Sequence, residues 1–158
     1  MENTIEKKLN PEYVKFIKEK VNQSPYFSLL SMEIKDIIPG FSYFEIKVGK
    51  KHLQPYGMVH GGVFASILDA AAFWAMYSQL DENLNMTTVE LKINYLAPAS
   101  DGLLIAEGRS IKMGRTLCLG DATIKNPEGK ILAHGTETAM IITGFSFKGF
   151  GKLPPKFL

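Results

Sequence analysis

Residues 63–77, Val-Phe-Ala-Ser-Ile-Leu-Asp-Ala-Ala-Ala-Phe-Trp-Ala-Met-Tyr, constrain the fold of this chain more than any other stretch. Alanine, leucine and methionine favour helix, and only Ser66 and Asp69 are plainly polar. The predicted helix is apolar around most of its circumference, which a helix tolerates only when it is buried on nearly every side. At roughly 15 residues it falls short of the ~20 that cross a bilayer, so it is predicted to lie inside a wrapping sheet.

Two features of this helix ask for more than packing. His60-Gly61-Gly62 opens it, and adjacent glycines leave backbone N–H groups bare at the positive end of the helix dipole, where they can hold an anion or a developing oxyanion. Asp69 sits mid-helix, and a carboxylate there is costly unless it is paired or reaches water. The alternative is an acid on the helix's one wet edge. Gly61 and Asp69 are eight positions apart. That is about 12 Å at ~1.5 Å per residue, whereas a nucleophile must come within ~3.5 Å of a reacting carbon. One chain cannot bring both groups to one carbonyl. If they cooperate, Asp69 must come from a second copy, most simply in a two-fold dimer with two equivalent sites.

The 158 residues, 46% hydrophobic and 22% charged, suit one globular domain with a substantial core. A formal charge of +2 does not suggest a general nucleic-acid binder, although a local basic patch for a phosphorylated ligand stays open. The opening Met-Glu-Asn-Thr-Ile-Glu-Lys-Lys lacks the apolar core of a signal peptide, and no run is long enough to span a membrane, so a cytoplasmic protein is expected. Cys118 is alone, which excludes an intrachain disulfide, and it reads as a small core residue of a strand.

Asn10-Pro11 is a cap and first-turn pair, and Tyr13, Val14, Ile17 and Val21 follow at helical spacing until Ser24-Pro25 stops the run. Residues 33–38, ended by Pro39-Gly40, and residues 42–48, with Phe44, Ile46 and Val48 on one face, read as a hairpin. After a polar loop at 81–85, residues 88–95 set Val89, Leu91, Ile93 and Tyr95 against Thr88, Glu90, Lys92 and Asn94 as a half-buried strand. Residues 103–112, 116–125 and 130–142 follow as an antiparallel meander with turns at Met113-Gly114-Arg115 and Asn126-Pro127-Glu128-Gly129. The fold class is α+β, one buried helix against a five- or six-stranded antiparallel sheet whose exposed edges would gain by pairing with a second copy. The expected divisions are an N-terminal helical segment over 1–30, the main domain over 31–143, and a tail over 144–158 lying on the surface or on a neighbouring chain.

Three blocks carry a resemblance. They are His52-Leu-Gln54-Pro-Tyr-Gly57-Met-Val-His60-Gly61-Gly62 followed by Asp69, Leu91-Lys-Ile-Asn-Tyr95-Leu-Ala-Pro98-Ala, and Gly114-Arg115-Thr116 before Gly129-Lys130. In order and spacing they resemble the hotdog-fold acyl-coenzyme A thioesterases, in particular the branch that includes the phenylacetate-degradation thioesterases, over about residues 33–142. The resemblance implies a hotdog fold, a long central helix enclosed by the sheet, with homodimers joined edge to edge that often pair into tetramers. It implies hydrolysis of an acyl-coenzyme A thioester with no cofactor or metal beyond the coenzyme A of the substrate.

By position, the Gly61 N–H would polarise the thioester carbonyl, and Asp69 of the partner chain would act as general base or, less commonly, as nucleophile. Gln54 stands where the family usually has an asparagine that orients the carbonyl or the water, and it keeps the amide while adding one methylene. Thr88 stands where some members place a serine or threonine that supports that water. Gly62 and His60 flank the carbonyl position, with His60 shaping the turn more than transferring protons. Arg115, Lys112 or basic residues of the tail are candidates for the coenzyme A phosphates.

Other chemistries fit less well. There is no Gly-x-Ser-x-Gly elbow, and Gly144-Phe-Ser-Phe-Lys-Gly149 lacks the ending of a phosphate loop. His52, His60 and His134 match no common zinc spacing, and His134 reads as a strand residue. Phe64, Phe73, Trp74 and Tyr77 are core or acyl-pocket wall. Enoyl-thioester hydration on the same fold pairs an aspartate with a histidine on one short segment, and no acid lies between His52 and His60. The stronger rival is a non-catalytic acyl-thioester binding protein, which would have no turnover for Asp69→Asn to remove.

Overall fold

The computed structural model describes residues 8–158, so the opening residues 1–7, read above for a leader, lie outside the described part. Asn10 caps α1 (Pro11–Asn22) by accepting the N–H of Glu12, with Pro11 in the first turn and Tyr13, Ile17 and Val21 as the buried stripe. Ser24-Pro25 ends that helix and also starts another. Proline is as well suited to a first helical turn as to a stop, and α2 (Pro25–Leu30) begins on Pro25. Ser31, at φ 49°, turns the chain out of α2 into β1 (Met32–Ile38).

The expected hairpin pairs β1 with β2 (Phe41–Lys47). The expected meander is β4 (Leu103–Met113), β5 (Leu117–Lys125) and β6 (Ile131–Ile142). Together with β3 (Asn85–Tyr95) they form one six-stranded antiparallel sheet ordered β1-β2-β4-β5-β6-β3, which leaves β1 and β3 as its edges. The central helix α3 (Gly61–Tyr77) packs against all six strands and buries Val63, Phe64, Ile67, Leu68, Trp74 and Met76, as its apolar circumference requires. Its approach to the sheet is close. The Ser42 hydroxyl donates to the Ala71 carbonyl at 2.6 Å, and a Cβ on Gly108 would stand 2.1 Å from that same oxygen, so only glycine fits there.

One alternation read from the sequence is overturned. A bulge between Thr88 and Glu90 inserts Val89 as an extra residue, and Val89 is 52% exposed. A bulge shifts the two-residue period by one, so Thr88 shares the helix-facing side with Leu91, Ile93 and Tyr95 instead of opposing them.

The tail folds back over the end of α3 on its own chain, with Phe147 stacked on Trp74 at 6.1 Å between centroids and Phe157 bridged to Leu9. The buried Lys156 ammonium donates to the carbonyls of Tyr77 (2.5 Å) and Leu80 (2.6 Å). Carbonyls at a helix C-terminus lack intrahelical donors and carry partial negative charge, which is why a cation from the tail is drawn in. Cys118 is buried on β5, where burial pushes its thiol above the ordinary range. Among the described residues no helix is long and apolar enough to cross a membrane.

Candidate active site

The head of α3 is held by the loop before it. His52 is buried, and its Nδ1 accepts the Gly49 N–H while its Nε2 donates to the Leu30 carbonyl at 2.7 Å, which assigns the ring proton to Nε2. Its own carbonyl accepts the His60 N–H, and Val59 N–H donates to the Ala99 carbonyl. Gln54 starts a tight turn in which its Oε1 accepts the Tyr56 N–H at 2.6 Å, leaving Nε2 as the side-chain atom that can donate to a carbonyl. Gly57 supplies the positive φ of 79° that closes this turn.

His60 is the N-cap. Its Nδ1 accepts the Gly62 N–H at 2.8 Å, so only one of the two glycine amides stays bare. Among the described residues no acceptor meets the Gly61 N–H. Tyr95 closes over this residue from β3, its hydroxyl donating to the Gly61 carbonyl at 3.2 Å, and a Cβ at position 61 would touch the ring at 3.2 Å.

Asp69 opens into a separate cleft of about 560 Å³. Its walls are Tyr26 and Phe27 from α2, Ala65, Phe73 and Trp74 from α3, and Leu91 from β3. The Tyr26 hydroxyl is 2.7 Å from that of Ser66, which fixes α2 across the cleft. The Thr88 hydroxyl lies 3.1 Å from Asp69 Oδ1 and 2.9 Å from Oε1 of Glu137. Burial pushes the Asp69 carboxyl above its ordinary range, and the Thr88 hydrogen bond offsets this in part. Glu137 is pushed up to about 8, first by burial and then by the charge of Asp69, with the Thr88 hydroxyl and the Phe73 backbone opposing the shift.

The structure thus brings Asp69 and Thr88 together midway along α3 and places His60, Gly61 and Gly62 at its head, with Gln54 in the loop before it. Arg115 and Lys112 belong to neither group, being exposed at the β4–β5 hairpin. His134 lies on β6 beside Asp121 at 3.2 Å. Phe73 and Trp74 line the cleft, whereas Phe64 meets Tyr95 edge-on near the helix head. Glu137 was not singled out by sequence. Its signal was legible, since it falls in step with Ala133, Gly135 and Ala139 on the buried side of β6, where a lone carboxylate is out of place.

Residues 56–133 match the family described as the thioesterase superfamily. Over 129 residues the chain is 30% identical to a protein of Halobacterium salinarum, spanning 78% of this chain and 85% of that one. Human acyl-coenzyme A thioesterase 13 is 28% identical over 102 residues, 63% of this chain and 72% of the human protein. The crystal structure of a thioesterase family protein from Silicibacter pomeroyi superposes with a TM-score of 0.75 at 27% identity, covering 84% of this chain and 99% of that one.

Proposed function

The chain belongs to the thioesterase superfamily and is a hotdog-fold thioester hydrolase, and we propose that it cleaves acyl-coenzyme A thioesters at a site shared between two subunits. The observation that carries this reading is Asp69, a carboxylate held by Thr88 in an apolar cleft on the same helix whose head bears the bare Gly61 N–H. About 12 Å of helix rise separates the two, so each serves a different carbonyl.

In this reading one subunit's Gly61 N–H, with the Gln54 amide and the positive end of α3, polarises the thioester carbonyl. The partner's Asp69 takes a proton from water, and the resulting hydroxide adds to the carbonyl carbon. Negative charge gathers on the oxygen at Gly61, and collapse of the adduct breaks the carbon–sulfur bond. The leaving thiolate recovers the proton from the partner's Asp69. A preformed donor supplies ~3 to 4 kcal/mol and a positioned base ~10²- to 10⁴-fold, enough together to make a metal unnecessary to the scheme.

The pairing edge in this proposal is β3, a free strand edge on which Val89 and Tyr95 are more than half exposed. Pairs of dimers are a further expectation. Phe73 and Trp74 wall the acyl chain, and Arg115 with Lys112 meets the coenzyme A phosphates. A coenzyme A substrate fits a cytoplasmic setting.

Subunit complementation tests the shared site. Asp69→Asn and Gly61→Val are each expected to be inactive. A scrambled mixture regains about a quarter of wild-type turnover, because half its dimers are mixed and each mixed dimer holds one intact site of two. Mixed dimers verified by native mass spectrometry that remain inactive would sink the proposal. A panel of acyl-coenzyme A thioesters, read by free thiol release, identifies the acyl group.

A further inference from the structure

Thr88 lies between two acids, and proton counting limits what the three groups can do. A hydroxyl carries one hydrogen, yet the Thr88 oxygen is within hydrogen-bond distance of both Asp69 Oδ1 (3.1 Å) and Glu137 Oε1 (2.9 Å). Two ionised carboxylates cannot both be served. Both contacts are hydrogen bonds only when one acid holds a proton and donates it to the Thr88 oxygen, which frees the Thr88 hydrogen for the other.

Burial decides which one. Asp69 is half-buried at the wall of the cleft, whereas Glu137 is 0% exposed. Its Oε2 has no hydrogen-bond partner among the described residues. An unpartnered carbonyl oxygen of a neutral acid is tolerable in such a place, while an unpartnered oxygen of a carboxylate carries the full cost of desolvated charge. The elements packed around it offer no counterion. α3 presents Asp69 and the Phe73 backbone, β3 presents Thr88 and Leu91, and β5 presents Gly120 directly opposite with Cys118 further along. Asp69 is the charged group acting on it, and it acts by repulsion.

We propose that Glu137 is a positioning residue of the hydrolase: as a neutral acid it donates to the Thr88 oxygen, so that Thr88 donates to Asp69 and holds that carboxylate ionised and oriented as the base. This rests on the reading of Asp69 as the base. The chain Glu137 Oε1–H to Thr88 Oγ1–H to Asp69 Oδ1 runs in one direction only, leaving the other Asp69 oxygen to take the proton of water. Glu137 touches neither substrate nor water in this scheme.

The test is a kinetic series on the full-length protein with Asp69→Asn, Thr88→Val, Glu137→Met, Glu137→Gln and the Thr88→Val/Glu137→Met double variant. Glu137→Met, apolar and of similar length, is expected to lower kcat about tenfold or more with KM unchanged. The double variant is expected to be no slower than Thr88→Val alone, because both changes cut one chain. Glu137→Gln, whose amide donates as a neutral acid does, recovers most of what Glu137→Met loses. Infrared spectra of the wild-type protein at neutral pH should show a protonated carboxyl band that Glu137→Gln lacks, a readout independent of whether Glu137→Met folds. Wild-type kcat in Glu137→Met, a Glu137→Gln enzyme as dead as Asp69→Asn, or no such band overturns the proposal. An active Asp69→Asn would instead overturn the assignment of the base itself.

Discussion

The Gly62 N–H donates to the imidazole Nδ1 of His60 at 2.8 Å, and this one bond selects the amide at the head of α3 that is left for chemistry. Two glycines open the helix, but the cap consumes the second. In the proposed site the developing oxyanion therefore meets the Gly61 N–H beside the Gln54 amide, and His60 acts by occupying the neighbouring amide of Gly62.

Removing that cap should be felt in stability before it is felt in turnover. His60→Ala is expected to cost about 1 kcal/mol, a melting temperature lower by roughly 2–4 °C for a chain of this size. His60→Ser, which keeps a side-chain acceptor, should recover most of it. Equal melting temperatures for the alanine and wild-type proteins would show that the cap contributes nothing.

Asp69 must be ionised to act as a base, and burial lifts its titration above the ordinary aspartate value of 3.8. The kcat/KM profile should then rise with pH through an apparent pKa above the ordinary aspartate value. Thr88→Val removes the hydrogen bond that holds this value down, so its acid limb should move further up. A pH–rate series on the two proteins measures the difference, and superimposed acid limbs contradict the assignment.

Glu137 links pH to stability. Its folded value of about 8 lies above the 4.5 of an unperturbed glutamate. Between these values the unfolded chain releases the proton first, the folded chain binds more protons, and stability falls as pH rises, levelling once both states are ionised. Glu137→Gln has no such proton to lose. Urea unfolding at acid, neutral and mildly alkaline pH should find it close to wild type in acid and more stable than wild type near pH 9. A variant less stable at every pH would mean that the glutamate is held as a charged and useful partner.

Base and nucleophile leave different isotopic traces. In a single turnover in ¹⁸O-water, a general base sends the label to the product acid and none to the Asp69 carboxyl. A nucleophilic Asp69 would pass through an anhydride, and water attacking its aspartyl carbonyl would leave label in Asp69 itself. Mass spectrometry of the peptide containing Asp69 is expected to show unlabelled carboxyl oxygens.

Lys156 ties the tail to the end of α3 through two carbonyls, those of Tyr77 and Leu80, and lies 4.1 Å over the Tyr77 ring. Lys156→Met leaves both acceptors buried without that donor and should cost about 1–3 kcal/mol by chemical denaturation. The cleft around Asp69 does not include Lys156, so kcat should hold at temperatures where the variant is folded.

The chain's own order of residues determined what short-range physics controls. Asn10-Pro11 starts α1, the apolar circumference of 63–77 demands enclosure, period-two patterns mark the strands, and the spacing of Gly61 and Asp69 forbids their joint action within one chain. Two local signals were legible and read differently, Pro25 as a stop and Glu137 not at all. The remainder depended on partners far along the chain. Whether β3 carries a bulge at Val89 is settled by its pairing with β6, and that single inserted residue turns Thr88 toward α3. The same pairing sets Glu137, 49 residues away, against the Thr88 hydroxyl. The tail's docking at the end of α3 likewise needs a helix end already in place. Periodicity acts over a few residues and can be read from composition in a window, whereas register, bulges and buried acid pairs exist only once strands have met, because each is a property of two segments at once.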